Sequence, residues 1–423
     1  MGEAEPAGTR GECLPILPVD SAFKQKPISG RLNTSRTTES SSSSDDAEGF
    51  AGMVDRCYDY AEQAKAEGRP VVGIMCEYTP RELILAAGGV PVCLCGGSAE
   101  RIPAAEQILP SNLCPLIKST FGYHVERSNP FLEWADLVVA ETTCDGKKKM
   151  FELMAGTRPM FVLSLPHSRD ATLGREHWVA EMRRLRDELE RRFHVEVTDG
   201  KIRDAIRRMN EERRLRRELA ALMRGPCPPF TGRQLLDMKS IISCIPDDIQ
   251  RYKNLLSVNA GKSVPRDGRV RVLLTGVPVA HGAERVVDLV EDRGGLIVCQ
   301  ENCTGLKPIL DDVDENAADP IEALADKYLA TPCSVMTPNT TRMESIKRLA
   351  LEFHADCIVD LIWQACLTYD IESAMVRKLA ETELKIPFLR IQTDYSPSDS
   401  GRIAVRVEAM FENARMRKTS TSR

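Results

Sequence analysis

Short apolar runs rich in β-branched residues recur along the chain, each giving way to a glycine-, proline- or polar-rich turn and then a helical stretch. VVGIMC (71–76), VPVCLC (90–95), DLVVAE (136–141) and MFVLSL (160–165) read as buried strands. Between the first two lies PRELILAAGG, with Pro80 in the first turn of a helix and glycines ending it. Upstream, from Met53, the pattern is helical, with Tyr58, Ala61 and Ala64 on one face. A second series follows: VRVLLTG (270–276), GLIVCQENC (295–303), CIVDLI (357–362) and FLRIQTD (388–394). Strands alternating with short helices predict an α/β fold, with two doubly wound parallel sheets.

The intervening segment differs. EMRRLRDELERRF and DAIRRMNEERRLRRELAALM carry charges at i,i+4 spacing and few strand signals, so they read as connector helices with a solvated face. Residues 1–50 lack periodicity and contain TTESSSSSDD, a composition expected to be disordered. The expected organisation is thus a tail (1–50), a first lobe (51–168), a helical connector (169–264, ending near VNAGKSVPRDG) and a second lobe (265–423). The lobes look like a diverged duplication: GGVPVCLCGG parallels GGLIVCQENCTG, and LVVAETTCDGKK parallels IVDLIWQACLTY.

A net charge of −5, with both signs mixed along 423 residues, gives no reason to expect a nucleic-acid partner. No run approaches the roughly 18 apolar residues of a membrane span, and the amino terminus has no apolar signal segment. Fourteen cysteines without such a segment point to a reducing compartment, with cytoplasm the expectation. There thiols serve metals or redox chemistry. No nucleotide motif stands up: GKS (261–263) has Leu256 where a P-loop needs glycine, and Pro265 interrupts the helix that should follow.

Six of the cysteines form two spaced triplets: Cys76, Cys114 and Cys144, then Cys303, Cys333 and Cys366. Cys114 and Cys144 lie 30 positions apart, Cys333 and Cys366 lie 33 apart. Four of the six fall at or just after strand ends, where ligands collect in doubly wound sheets. Cys114 and Cys333 lie in Pro-flanked loops able to reach the same rim. This repetition predicts a metal–sulfur site between the lobes. There is no CxxC pair, which removes zinc ribbons and bacterial-type ferredoxin runs. Cys93 and Cys95 are expected to be packed core thiols. Cys144 is expected to open a helix whose free N–H groups favour a thiolate, with Lys147 in the first turn balanced by a nearby anionic group. His281, in a Gly-flanked loop, is the expected proton source, with Glu301 beside it. Glu77, Lys118, Thr143, Asp145 and Gln364 are further polar neighbours of the cysteines in sequence.

GIMCEYTPRELILAAGG, LPSNLCPLIKS, VVAETTCDGKKKMFELMA, QENCTG, EALADKYLA and QTDYSPSD together resemble the 2-hydroxyacyl-CoA dehydratase / benzoyl-CoA reductase superfamily, and within it most closely the double-cubane cluster proteins. The resemblance covers roughly residues 53–415. It implies two Rossmann-like lobes with an oxygen-sensitive iron–sulfur cluster at their interface. Dehydratase subunits of this kind hold one 4Fe–4S cluster on three cysteines, leaving one iron open; double-cubane proteins hold two cubanes joined by sulfide, three cysteines to each. The count of six matches the latter, with Cys76, Cys114 and Cys144 on one cubane and Cys303, Cys333 and Cys366 on the other. Some relatives have cysteine where Val277 stands here. The resemblance further implies a separate ATP-hydrolysing activator that carries its own 4Fe–4S cluster; a homodimer is also expected. The expected activity is an iron–sulfur oxidoreductase passing low-potential electrons to a small substrate. The alternatives are a 2-hydroxyacyl-CoA dehydratase subunit and a cluster-bearing electron carrier without substrate.

Overall fold

The computed structural model describes residues 52–169, 172–259 and 268–421, the last three without side chains. The Ser-rich tail, Cys13, the GKS segment and the boundary expected near 264 lie outside the described residues.

All eight expected strands form, in two four-stranded sheets whose pairings are all parallel. The first sheet contains β1 (Val71–Ile74), β2 (Val90–Cys93), β3 (Leu137–Glu141) and β4 (Met160–Leu163), in the order β2-β1-β3-β4. The second contains β5 (Val270–Gly276), β6 (Gly295–Gln300), β7 (Cys357–Trp363) and β8 (Phe388–Thr393), in the order β6-β5-β7-β8. Chain order reverses between β1 and β3 and again between β5 and β7, so each sheet has one switch point, where a crevice opens beyond the strand ends. The repeat seen in the sequence is therefore a repeat of topology.

Both faces of each sheet are covered, as parallel sheets require. Alternate residues of β3 face opposite ways: Val138 and Ala140 join one apolar cluster, Leu137 and Val139 another. The first of these clusters runs through both lobes, since Val359 and Leu361 of β7 belong to it as well. The lobes thus share a core.

The helices between the sheets have more than a solvated face. Thr172–Phe193 and Asp199–Ala221 bury Trp178, Leu185, Ile202 and Ile206 against the first lobe. From the second helix Arg213 points inward, and its guanidinium lies 2.5 Å from Glu82 with both side chains essentially dry. Tyr328, from the helix Pro320–Leu329 of the second lobe, donates to the other oxygen of Glu82 at 2.8 Å. Asn210 supplies a further partner for Arg213 at 2.8 Å. Burial opposes the charge of Glu82, but Arg213 and Lys327 hold its pKa below the ordinary carboxylate range. One buried ion pair therefore joins lobe, connector and lobe.

Replacing one partner of such a pair strands the other without a counter-charge, at a cost of about 3–5 kcal/mol. Arg213→Ala is expected to lower the urea midpoint by that energy divided by the unfolding slope, with the slope itself unchanged; an unaltered midpoint would show that the contact carries no stability.

Candidate metal centre

A cavity of about 780 Å³ opens between the lobes, and all six expected cysteines line it. Their positions follow from the fold. Cys76 lies just past β1, Cys144 past β3 and Cys366 past β7, at the switch-point ends of the two sheets. Cys114, Cys144 and Cys366 are each the residue capping a helix amino terminus: Pro115–Glu126, Asp145–Ala155 and Leu367–Lys378. Free backbone N–H groups there stabilise a thiolate. Ala365, held at φ 60°, makes the sharp turn that presents Cys366.

The thiols are grouped across the lobes, not along the chain. Cys366 of the second lobe hydrogen-bonds Cys114 of the first and senses Cys144. Cys76 of the first lobe senses Cys303 and Cys333 of the second. By these electrostatic neighbours Cys114, Cys144 and Cys366 fall together, as do Cys76, Cys303 and Cys333.

The hydrogen bond from Cys366, followed by the N–H groups of Leu116 and Ile117, outweighs burial and holds the Cys114 thiol down to about 7. Cys366 is pushed up in exchange, first by that bond and then by burial. Burial pushes Cys76 and Cys303 up as well. Lys147, half-buried in the cavity wall, supplies the opposing charge and donates to the Met75 carbonyl at 2.9 Å. Burial works against that charge, yet Cys76, Cys95 and Cys144 hold Lys147 above the ordinary lysine range. The neighbouring Lys148 and Lys149 face solvent in ion pairs with Asp145 and Glu152.

Several expected neighbours are placed elsewhere. Thr143 and His281 line the cavity, and His281 Nδ1 sits 3.5 Å from Glu284. Glu77 also lines it, clamped by Arg81 at 2.7 Å and Lys239 at 2.8 Å. Burial opposes its ionisation, but those two cations hold Glu77 well below the carboxylate range. Asp145 touches the rim with its carboxylate in solvent. Lys118 points away, to Glu106 and the Ser111 carbonyl, and Gln364 is exposed. Neither lines the cavity. Glu301 is fully buried outside it, between Thr275, Arg342 and Lys307, where it braces the second lobe and meets no open space. Glu301 thus has a structural position, not a catalytic one.

Four cavity residues were not anticipated in this role. Cys93 and Cys95 both reach the cavity. Cys93 ends β2 and packs beside one apolar cluster, Cys95 lies past the strand end beside another, and both still reach the cavity. Lys239 arrives from the connector and Tyr369 from the turn after Cys366; the Tyr369 hydroxyl lies 3.9 Å from the Cys333 sulfur.

Among the described residues, no group of three or more His, Cys, Asp or Glu side chains closes around a single ion. Zinc–sulfur bonds near 2.3 Å would require thiolates about 4 Å apart. A multi-iron core carries each thiolate on a different metal atom and spreads them wider. Thiols from two lobes around one cavity, three of them at helix amino termini and with Lys147 and Lys239 beside them, fit such an anionic core.

Fold and site together define a protein of two parallel α/β lobes that carries a thiol-lined cavity at their junction. The model of the family described as 2-hydroxyglutaryl-CoA dehydratase, D-component, matches residues 76–414, and the chain belongs to that family, within the 2-hydroxyacyl-CoA dehydratase / benzoyl-CoA reductase superfamily. It is 40% identical over 358 residues to YjiM of Escherichia coli (strain K12), named as a presumed dehydratase subunit, covering 82% of this chain and 92% of that one. It is 24% identical to the (R)-phenyllactyl-CoA dehydratase beta subunit of Clostridium sporogenes, over 82% and 92% of the two chains. With one of the subunits of the benzoyl-CoA reductase of Thauera aromatica it shares 23% identity over 67% and 74%.

The lobes touch beside the cavity through backbone. A Cβ on Gly97 would stand 2.1 Å from the His281 carbonyl oxygen, so only glycine admits this approach. Gly97→Val is expected to force the contact apart at about 1–3 kcal/mol, the usual cost of overpacking. Thermal unfolding of the variant measures it, and an unchanged melting temperature would mean that the lobes are joined elsewhere.

Proposed function

We propose that this chain is the cluster-bearing component of an iron–sulfur reductase that passes low-potential electrons to a small substrate and receives them from a separate ATP-hydrolysing activator. The observation that carries the reading is the convergence of six thiols from both lobes of one chain on one cavity. Cys76, Cys303 and Cys333 would hold one cubane, and Cys114, Cys144 and Cys366 the other. Bound there, two linked 4Fe–4S units would supply single electrons at a potential set by charge, hydrogen bonding and burial.

The chain's own residues define the surroundings. Lys147 offsets thiolate charge in the cavity wall. With Nδ1 turned to Glu284, His281 has Nε2 available to exchange a proton with a substrate in the cavity. The apolar wall formed by Leu113, Ile117, Phe131 and Ile241 favours a substrate with little charge. Among the described residues no arginine lines the cavity, and its two lysines are already engaged with Met75, Glu77 and Cys303. A diphosphate would find no basic cradle there, which favours a small molecule over the body of a CoA thioester.

The second reading, a 2-hydroxyacyl-CoA dehydratase subunit with a single cubane, draws on the names of the dehydratase relatives. A cytoplasmic location and a homodimer accompany the first reading. No helix among the described residues is long and apolar enough to cross a membrane.

Metal counting on anaerobically prepared protein separates these readings. About eight irons and matching sulfide per chain are expected for two cubanes, about four for the dehydratase; zinc without sulfide would overturn both. In the same preparation Cys144→Ala and Cys366→Ala, both in the set that includes Cys114, should each remove about half of the iron and one component of the resonance signal, while Cys57→Ala, buried outside the cavity, leaves both intact. A spectral change with a 2-hydroxyacyl-CoA but with no small unsaturated molecule would favour the dehydratase.

A further inference from the structure

The connector forms a third wall of the cavity. Its segment 231–242 spans two edge strands, β2 of the first sheet and β6 of the second, which are equivalent in the duplicated topology. On the first lobe, Ile242 bridges Val92, and the Cys93 N–H donates to the Ile241 carbonyl at 2.8 Å. On the second, Gln300 donates to the Gly232 carbonyl at 2.8 Å, and the Gly232 N–H donates to Glu291 at 2.7 Å. A side chain on Gly232 would collide with Ile297 at 2.4 Å, so this end is pressed against β6.

Lys239 sits between these two anchorages and turns into the cavity. Its ammonium donates to Glu77 Oε1 at 2.8 Å and to the Cys303 carbonyl at 2.9 Å. Glu77 is the residue after Cys76. One cation therefore ties the side chain of the residue next to Cys76 in the first lobe to the backbone carbonyl of Cys303 in the second. These two sulfurs belong to the set that meets across the boundary, and no peptide segment short enough to fix their separation links them. Lysine suits the task, since three donors on a compact head can serve partners in different directions.

We infer that Lys239 is a positioning residue that sets the spacing of Cys76 and Cys303 across the lobe boundary, so that both sulfurs can bind one inorganic core. The inference rests on the ligand assignment proposed above. Glu77 keeps its Arg81 partner when Lys239 is lost, so removing the ammonium leaves no carboxylate without a counter-charge.

The test uses the full chain reconstituted anaerobically with ferrous iron and sulfide, read by iron content and paramagnetic resonance line shape, with thermal unfolding of the metal-free protein alongside. Lys239→Met is expected to retain about half the wild-type iron and to lose one component of the signal, with the metal-free melt unchanged. Lys239→Arg, which restores a multidentate cation, is expected to recover the missing component. Should the metal-free Lys239→Met chain melt early, Lys239→Gln decides, since its amide keeps a donor for Cys303: half loading supports the inference, full loading overturns it. A Lys239→Met chain that loads like a normally loading wild type overturns the inference alone. A wild type that takes up no iron overturns the proposed function and this inference with it.

Discussion

Thiolate charge gathered between two lobes must be compensated there, and helix amino termini and lysines stand around the cavity that would hold it. Helix amino termini end at Cys114, Cys144 and Cys366, and half-buried Lys147 faces Cys76 and Cys144. Each device lowers the cost of negative charge. The same requirement accounts for lysine in the first turn of the helix Asp145–Ala155, against the helix dipole. At that position the local anion outweighs the dipole.

Compensation is of little use unless the sulfurs stay at fixed separations, and no single lobe can fix them. All six cysteines line one cavity and come from both lobes, so every contact across the boundary bears on the site. The shared apolar cluster, the backbone approach of Gly97 to His281 and the Glu82–Arg213–Tyr328 contact hold the lobes at one distance. The connector belongs to this frame. Its charged sequence has the look of a spacer, yet it buries an arginine in the three-way contact and delivers Lys239 to the cavity wall.

Much of the architecture was legible in the sequence. The eight strands were marked by β-branched runs of the right length, and the duplication by paired segments such as LVVAETTCDGKK and IVDLIWQACLTY. The six cysteines could be chosen because each followed an apolar run or sat in a Pro-flanked loop, and the cavity unites them. What remained hidden depends on tertiary contact. Nothing local distinguishes Glu301, whose partner Arg342 lies 41 positions away, from a carboxylate that opens into the cavity. Lys239 had no visible signal, since its partners Glu77 and Cys303 lie far from it in sequence on either side. Cys93 and Cys95 did carry one: both stand at the carboxyl end of β2, where ligands gather in a doubly wound sheet. Chain order also says nothing of which loops meet when two similar lobes pack face to face.

The claim that each metal core is held jointly by both lobes is most directly tested by locating iron in the loaded protein. Anomalous diffraction at the iron edge from anaerobically grown crystals should show two centres in the cavity. One is predicted beside Cys76, Cys303 and Cys333, the other beside Cys114, Cys144 and Cys366. Iron held by the three cysteines of a single lobe, or absent from this cavity, would contradict the account.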